Sequence, residues 1–226
     1  MVDAQEDVYD AAHDAARAVA QQEVRDIRNR ITQLDDDGID LVLRCARTHY
    51  AWLDKPVSDD VLRQIYDILI QGPTSNNGCP IRILFARTMV SKERLVPSLH
   101  GNNVPKVLTA PVCAIIAYDM EFYEKLVTLF PHRPTKKQMF IDNPKRAADD
   151  AFRNGTLQSA YFMFAARALG LDVGPISGFD NDIVDKEFFA GTPLRSNFLC
   201  SIGYGDEKDV WQKLPRPPFE ELCELI

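Results

Sequence analysis

Hydrophobic positions recur along this chain with two periods, and the changes of period mark its elements. Residues 4–34 carry one thin apolar stripe. Val8, Ala12, Ala15 and Val19, and then Val24, Ile27, Ile31 and Leu34, are spaced by three or four residues. That spacing predicts one long amphipathic helix with a charged outer surface. "DDDG" at 35–38 ends it, and residues 39–50 read as a second helical stretch. Ser58 then suits an N-cap. Asp59 and Asp60 complement the positive first turn, and Val61, Leu62, Ile65 and Leu69 make a buried face. Strands are predicted over 81–87 and over 110–118, "APVCAIIAY". The second is apolar on both faces, as in a strand covered on both sides. Residues 119–146 are Pro-broken and basic and read as a lid.

The longest body helix spans 147–169, apolar nearly all round from Leu157 to Leu169, and Gly170 stops it. "LDVGPISGFD" reads as a Gly/Pro/Ser loop, "VDKEFFAG" as a short helix, "SNFLCSIGY" as a strand, and the tail as a Pro-rich crossing before a last short helix. No βαβ repeat runs through the chain, so the pattern predicts a mixed α+β sheet covered by helices. Residues 1–38 form an N-terminal extension and 39–226 the body.

Composition narrows the class. With 226 residues and 46% apolar, the chain can bury one large core. No apolar run reaches 18 residues, and the acidic N-terminus resembles neither a secretory signal nor a transit peptide, so a cytoplasmic protein is expected. Five cysteines without a CxxC argue for a reducing compartment, with Cys45, Cys79, Cys113, Cys200 and Cys223 mostly as small core residues. Only Cys79 sits in a ligand-like loop. Residues 1–40 hold 4 Arg against 11 acidic residues, so the net charge of −7 resides there and the remainder is balanced. No nucleic-acid surface is implied.

Several chemistries are excluded by pattern. His13, His49, His100 and His132 lie too far apart for metal spacing. GxSxG, GxxxxGK[ST] and GxGxxG are all missing. What remains is scattered: Arg44 and Arg47 with His49, the loop "GPTSNNGCP" at 72–80, "GPISGFD" at 174–180, and Lys213 with Arg216. Two basic clusters and two loops rich in backbone donors suit a ligand with a phosphate and a flat, polar-edged ring. The residues alone leave a second reading open, in which each cluster is solvated surface.

The strings "ARTHYAWLDKPVSDDVLRQIYD", "GPTSNNGCPIRILF", "TAPVCAIIAYD", "AFRNGTLQSAYFMFAARALGLDVGPISGFD" and "SNFLCSIGYGD" resemble the nitroreductase-like flavoproteins over residues 40–226. The closest likeness is to the subgroup containing the malonic semialdehyde reductase of pyrimidine utilisation. The resemblance implies a three-layer α+β fold with a mixed, mainly antiparallel sheet. It implies intertwined homodimers with FMN at the subunit interface, and NADPH or NADH as electron donor. By position, Arg47 would hold the FMN phosphate with Arg216, or Lys213, from the C-terminal segment. His49, Pro73, Thr74, Ser75 and Asn77 would contact flavin or ribityl chain, and Gly178, beside Ser177, would face flavin N5.

The implied reaction is ping-pong hydride transfer through N5, turning a small 3-oxo acid such as malonic semialdehyde into the 3-hydroxy acid. His132, Arg133, Lys136 or Lys137 of the lid would receive the substrate carboxylate. Nitroaromatics, quinones or enones are the alternative acceptors. A non-catalytic flavin-binding or interaction protein, using the N-terminal helix as its arm, is the further alternative. Four positions depart from the subgroup: Asn76 where a small residue is usual, Gly78 and Cys79 where Cys and then Ser are expected, and Tyr50 where a smaller polar residue is common.

Overall fold

The computed structural model describes residues 11–226. Helix α1 (Ala11–Arg30) is followed by α2 (Asp36–Ile39), which runs on into a π-helical turn, Asp40–Arg44. Then come α3 (Asp59–Leu69), β1 (Ile81–Ala86), α4 (Met89–Glu93), α5 (Val104–Leu108) and β2 (Val112–Asp119). The lid holds α6 (Leu126–Leu129) and α7 (Lys136–Ile141). Helix α8 (Pro144–Ala168), β3 (Asp172–Ile176), α9 (Asn181–Phe188), β4 (Leu194–Gly203) and α10 (Phe219–Leu222) complete the chain.

Alternation along β2 explains the layering. Val112, Ala114 and Ile116 face one way, into a core with Leu62, Ile65 and Leu69 of α3 and with Phe162, Ala165 and Ala166 of α8. Cys113, Ile115 and Ala117 face the other way, against Val107 of α5, Val184 of α9 and Phe189. The four strands pair antiparallel in the order β1-β2-β4-β3, with β2 and β4 buried between helices on both faces. A parallel contact, Thr48 with Val173, adds the one mixed element. The α+β, helix-covered sheet expected from the pattern is therefore present, with its four strands antiparallel throughout.

Other expectations need correction. The stretch 172–176 is strand β3, not loop. Gly174 and Pro175 disguise it in sequence. Proline is tolerated because β3 is an edge strand, and glycine is required because a Cβ at Gly174 would lie 2.4 Å from the His49 carbonyl. Residues 45–50 are not helical: the π turn ends at Arg44 and the chain then lies along β3, where the His49 N–H donates to the Val173 carbonyl. The helix expected over 4–34 is seen as Ala11–Arg30, its first residues lying outside those described. From Ala15 onward its stripe does not pack on the body. Val19, Val24, Ile27, Ile31 and Leu34 are all exposed.

Ser58 caps α3 as expected, accepting from the Val61 N–H at 3.3 Å, and Leu62, Ile65 and Leu69 are buried. Each such side chain contributes roughly 1.5–3 kcal/mol. Helix α8 is less uniformly buried than its composition suggests, since Leu157 and Phe164 are exposed. Of the cysteines, only Cys113 and Cys200 are core residues, and burial pushes the Cys113 thiol up to about 12 and that of Cys200 higher still. Among the described residues no helix is long and apolar enough to cross a membrane.

Candidate functional site

The π turn presents its carbonyls at the edge of a cavity of about 900 Å³. Among the described residues five cations line it, Arg44, Arg47, Arg167, Lys213 and Arg216, and no carboxylate does. Arg44 is paired, to Asp36 at 2.6 Å and Asp40 at 3.4 Å. Among the described residues the hydrogen bonds of the other four go to backbone carbonyls. Lys213 Nζ donates to Leu43 and Arg44 (3.2 and 2.6 Å), and Arg47 to Cys45 and Ala46 (2.8 and 3.1 Å). Arg167 donates to Val42 (3.0 Å), and Arg216 to Leu214 and Pro215 (3.0 and 3.1 Å). Carbonyl oxygens orient guanidinium and ammonium groups without cancelling their charge. The result is a preorganised anion site that fits a phosphate. Burial lowers the Arg167 pKa, against the opposing pull of Cys200 and Asp172. An arriving anion would relieve that penalty. Thus Arg47, Lys213 and Arg216 are brought together from opposite ends of the chain. Arg167 was missed: it reads as one polar interruption in an apolar helix.

His49 behaves differently from the expectation that it contacts the cofactor. It is turned inward. Its Nε2 lies 3.1 Å from Asp172 Oδ1, and Asp172 Oδ2 accepts from the Gly205 N–H at 2.9 Å. Gly205 exists for this contact, because a Cβ there would sit 1.8 Å from His49 Nδ1. Burial pushes the Asp172 carboxyl up, but the His49 and Gly205 hydrogen bonds and the charges of His49 and Arg167 outweigh it, holding the carboxyl below its usual range. His49 therefore ties the 45–50 segment to the sheet.

The loop at 72–80 is held in an unusual conformation. Asn76, Asn77 and Cys79 all have positive φ, at 51°, 51° and 42°. Gly78 does not: its φ is −72°. Glycine stands there because a Cβ would lie 2.8 Å from the Phe122 ring. The sequence departures at 76, 78 and 79 thus have separate causes: Asn76 and Cys79 adopt the left-handed turn, and Gly78 lets the lid approach. Left-handed L-residues cost roughly 1–2 kcal/mol each, less for Asn. Ser75 donates its N–H to Asn154 Oδ1 (2.8 Å), and the Cys79 N–H donates to Thr74 Oγ1 (3.2 Å). Asn77 Nδ2 donates to the Leu129 carbonyl (2.9 Å), and the Pro73 carbonyl accepts from the Tyr161 hydroxyl (3.1 Å). At about 1 kcal/mol net apiece these bonds are of the size needed to offset the strain. Past the loop, Arg82 bonds the Cys79 carbonyl and pairs with Asp119 at 2.6 Å.

Asn77 and Cys79 line a second cavity, about 1150 Å³, between α3, the free edge of β1 and the start of the lid. It shares no lining residue with the cation pocket. Within one chain the two expected halves of the site are separate.

Gly178 follows β3. Its carbonyl accepts from the His100 N–H (3.0 Å) and from Asn103 Nδ2 (2.8 Å), and no acceptor for its own N–H is found among the described residues. A Cβ would lie 2.5 Å from Asn103 Nδ2, so only glycine fits. Ser177 beside it is exposed. Asn103 Oδ1 in turn accepts from Lys106 Nζ (3.0 Å), which lies over the Tyr50 ring at 4.4 Å. Tyr50 lines the cation pocket, so this relay joins the pocket to Gly178. The sequence signal that could have found it is "GNNVPK" before the central strand.

In the lid, the His132 ring lies 4.0 Å from the Phe130 ring, tilted by 55°, and His132 and Arg133 are exposed. Lys136 is half-buried. Lys137 is held by Glu124 at 2.6 Å, which makes it a weak receiver for a second carboxylate.

Residues 43–205, well over half the chain, match the sequence profile of the Nitroreductase family. The chain belongs to the nitroreductase family. It is an oxidoreductase of that family. Solved structures agree on the fold. A nitroreductase candidate of Exiguobacterium sibiricum, crystallised in complex with FMN, is 22% identical over 86% of this chain and 99% of its own, with a TM-score of 0.74. An NAD(P)H:FMN oxidoreductase candidate of Staphylococcus epidermidis is 20% identical over 87% of this chain and 98% of its own (TM-score 0.72). An enone reductase of gut-bacterial fatty acid saturation metabolism is 15% identical over 86% of this chain and 100% of its own (TM-score 0.73).

Proposed function

We propose that this nitroreductase-family protein is an FMN-dependent NAD(P)H oxidoreductase acting as a homodimer. The observation that carries the proposal is the carboxylate-free cation pocket. Arg47, Arg167, Lys213 and Arg216 are oriented by carbonyls, and none of them forms an ion pair with a carboxylate among the described residues. They would hold the FMN phosphate, and the Gly178 N–H would be free for a ring atom. Bound FMN would supply hydride acceptance and donation at N5, the hard chemistry for which the protein provides orientation.

The homodimer is supported by two features. The 72–80 loop and the cation pocket line separate cavities in one chain, so a second copy is needed to bring Pro73, Thr74, Ser75 and Asn77 to the phosphate-bound cofactor. In addition, Trp211, Leu214, Phe219, Leu222 and Leu225 of the C-terminal segment are more than half exposed. In the same reading residues 1–38 form an extension that clamps the dimer, and deleting them lowers dimer stability.

For the acceptor, the sequence resemblance favours a small 3-oxo acid such as malonic semialdehyde, with Arg133, Lys136 or His132 of the lid receiving its carboxylate. A second reading is a nitroaromatic, quinone or enone acceptor reduced by the same flavin chemistry, since the fold leaves the acceptor to the site. The deciding experiment is anaerobic reduction of the purified, FMN-loaded protein by NADPH or NADH, followed by reoxidation with an acceptor panel. Protein that neither carries nor takes up FMN overturns the proposal. A kcat/KM for nitrofurazone above that for malonic semialdehyde overturns the 3-oxo acid reading alone.

A further inference from the structure

We propose that Asn154, Gln158 and Tyr161 of α8 are positioning residues that hold the 72–80 loop in its ligand-binding shape. The spacing of four and then three residues puts all three on one helix face. Each bonds a backbone atom of the loop or its exit. Asn154 Oδ1 accepts from Ser75 N–H (2.8 Å), Gln158 Oε1 accepts from Ile81 N–H (3.0 Å), and Tyr161 hydroxyl donates to the Pro73 carbonyl (3.1 Å). Asn154 and Gln158 are buried, at 5% and 0% exposure, although a buried helix face ordinarily takes apolar residues.

The orientation of Asn154 is forced. Its Nδ2 donates to the Asp150 carbonyl at 2.8 Å while its Oδ1 faces an N–H, so a flipped amide would lose both bonds. Tyr161 also sets the loop's entry: a Cβ on Gly72 would fall 2.1 Å from its ring. Between these fixed ends stand Asn76, Asn77 and Cys79, the three left-handed residues. The rigid helix thus braces a segment whose own backbone preference is to relax. None of the three side chains lines either large cavity. They act through the loop, and their effect on the cofactor rests on the reading that this loop contacts FMN.

The test uses the full-length protein in a Cys45→Ser, Cys223→Ser background. Cys113 and Cys200 are fully buried, so Cys79 is the thiol that remains accessible. Its rate of reaction with Ellman's reagent reports loop shape without any flavin. Asn154→Ala and Tyr161→Phe are compared with Arg153→Ala, whose side chain points into solvent at 75% exposure. Loss of one net hydrogen bond predicts Cys79 labelling and FMN Kd both raised several-fold, up to about tenfold, for Asn154→Ala, and by less for Tyr161→Phe. The near-UV circular dichroism and the Arg153→Ala values should stay those of the parent. Labelling rates and FMN affinity equal to the Arg153→Ala control overturn the proposal, as does weaker FMN binding with unchanged labelling. Faster labelling in a protein whose parent takes up no FMN upholds the brace and overturns the FMN reading instead. Should Asn154→Ala fail to fold, Tyr161→Phe, which removes a single hydroxyl, decides the matter.

Discussion

The cation pocket and the 72–80 loop are the two halves of the proposed ligand site, and they are built in opposite ways. The pocket gathers Arg47, Arg167, Lys213 and Arg216 from three distant segments onto ordinary backbone, with no ion pair to a carboxylate among the described residues. The loop is one contiguous segment whose backbone is strained at three residues and whose groups are bonded to α8, to the lid and within the loop itself. A phosphate is recognised by charge, which tolerates flexible arginines. A ring edge is recognised by direction, which needs a fixed backbone. The difference predicts that the pocket carries affinity and salt dependence, while the loop carries geometry.

The largest expected effect breaks the pocket. Arg47→Ala combined with Lys213→Ala removes two charge-assisted contacts at roughly 1.5–3 kcal/mol each, so FMN affinity should fall by about a hundredfold or more. Fluorescence titration at two salt concentrations checks this. The parent should bind more weakly as salt rises, and the double variant should have lost most of that dependence. An affinity within about threefold of the parent, a difference of roughly 0.7 kcal/mol, would remove the phosphate assignment.

The next effect falls on the frame that carries Arg47. Gly205→Ala would drive a Cβ to 1.8 Å from His49 Nδ1, in a ring only 11% exposed and tied to Asp172. Forced overpacking of this kind costs about 3 kcal/mol, read as a lowered Tm. His49→Ala should cost less, since it leaves space, although it strips Asp172 of its partner.

These positions show what the sequence could and could not reveal. Helix α3 was legible because Ser58, the two aspartates and the apolar spacing all agree. The central strand β2 was legible because nothing polar interrupts it. Strand β3 was hidden, since Gly174 and Pro175 answer to the neighbouring His49 carbonyl and to the sheet edge rather than to strand propensity. Arg47, Lys213 and Arg216 stood out as basic residues, and their convergence followed only from the fold. Asn154, Gln158 and Arg167 were invisible as functional candidates because a polar residue inside an apolar helix carries no sign of what it faces. The surroundings of His49 were hidden for the matching reason: its neighbours in sequence face the pocket, while its own ring faces Asp172.

The loop offers a smaller and sharper test. Cys79 holds a left-handed conformation, φ 42°, that a β-branched side chain resists strongly. Cys79→Val should destabilise by about 2 kcal/mol. Cys79→Gly should be near neutral, because the relieved strain of roughly 1–2 kcal/mol is offset by the added backbone entropy of glycine, about 0.5–1 kcal/mol. Denaturant midpoints at unchanged slope measure both. Equal losses in the two variants would mean that the thiol contacts with Thr74 and Asn77, not the backbone, matter at this position.

The smallest effect concerns pH and separates frame from pocket. Asp172 is held below the usual carboxylate range, burial notwithstanding, by His49, the Gly205 N–H and Arg167. A carboxyl whose folded pKa is depressed stabilises the native state above its unfolded pKa, about 4, and that contribution fades as pH falls through the folded value. The Asp172 side chain is 40% exposed, so solvent screening keeps the contribution at about 1 kcal/mol or less. Asp172→Asn should therefore lower the Tm slightly above pH 4, and the difference from the parent should shrink below pH 4. Because Asp172 also faces Arg167, the same change leaves that cation less compensated and should tighten FMN slightly rather than weaken it. Opposite signs on stability and on cofactor affinity from one substitution are what a frame residue standing behind an anion pocket produces. Loss of both together would place Asp172 in the frame alone.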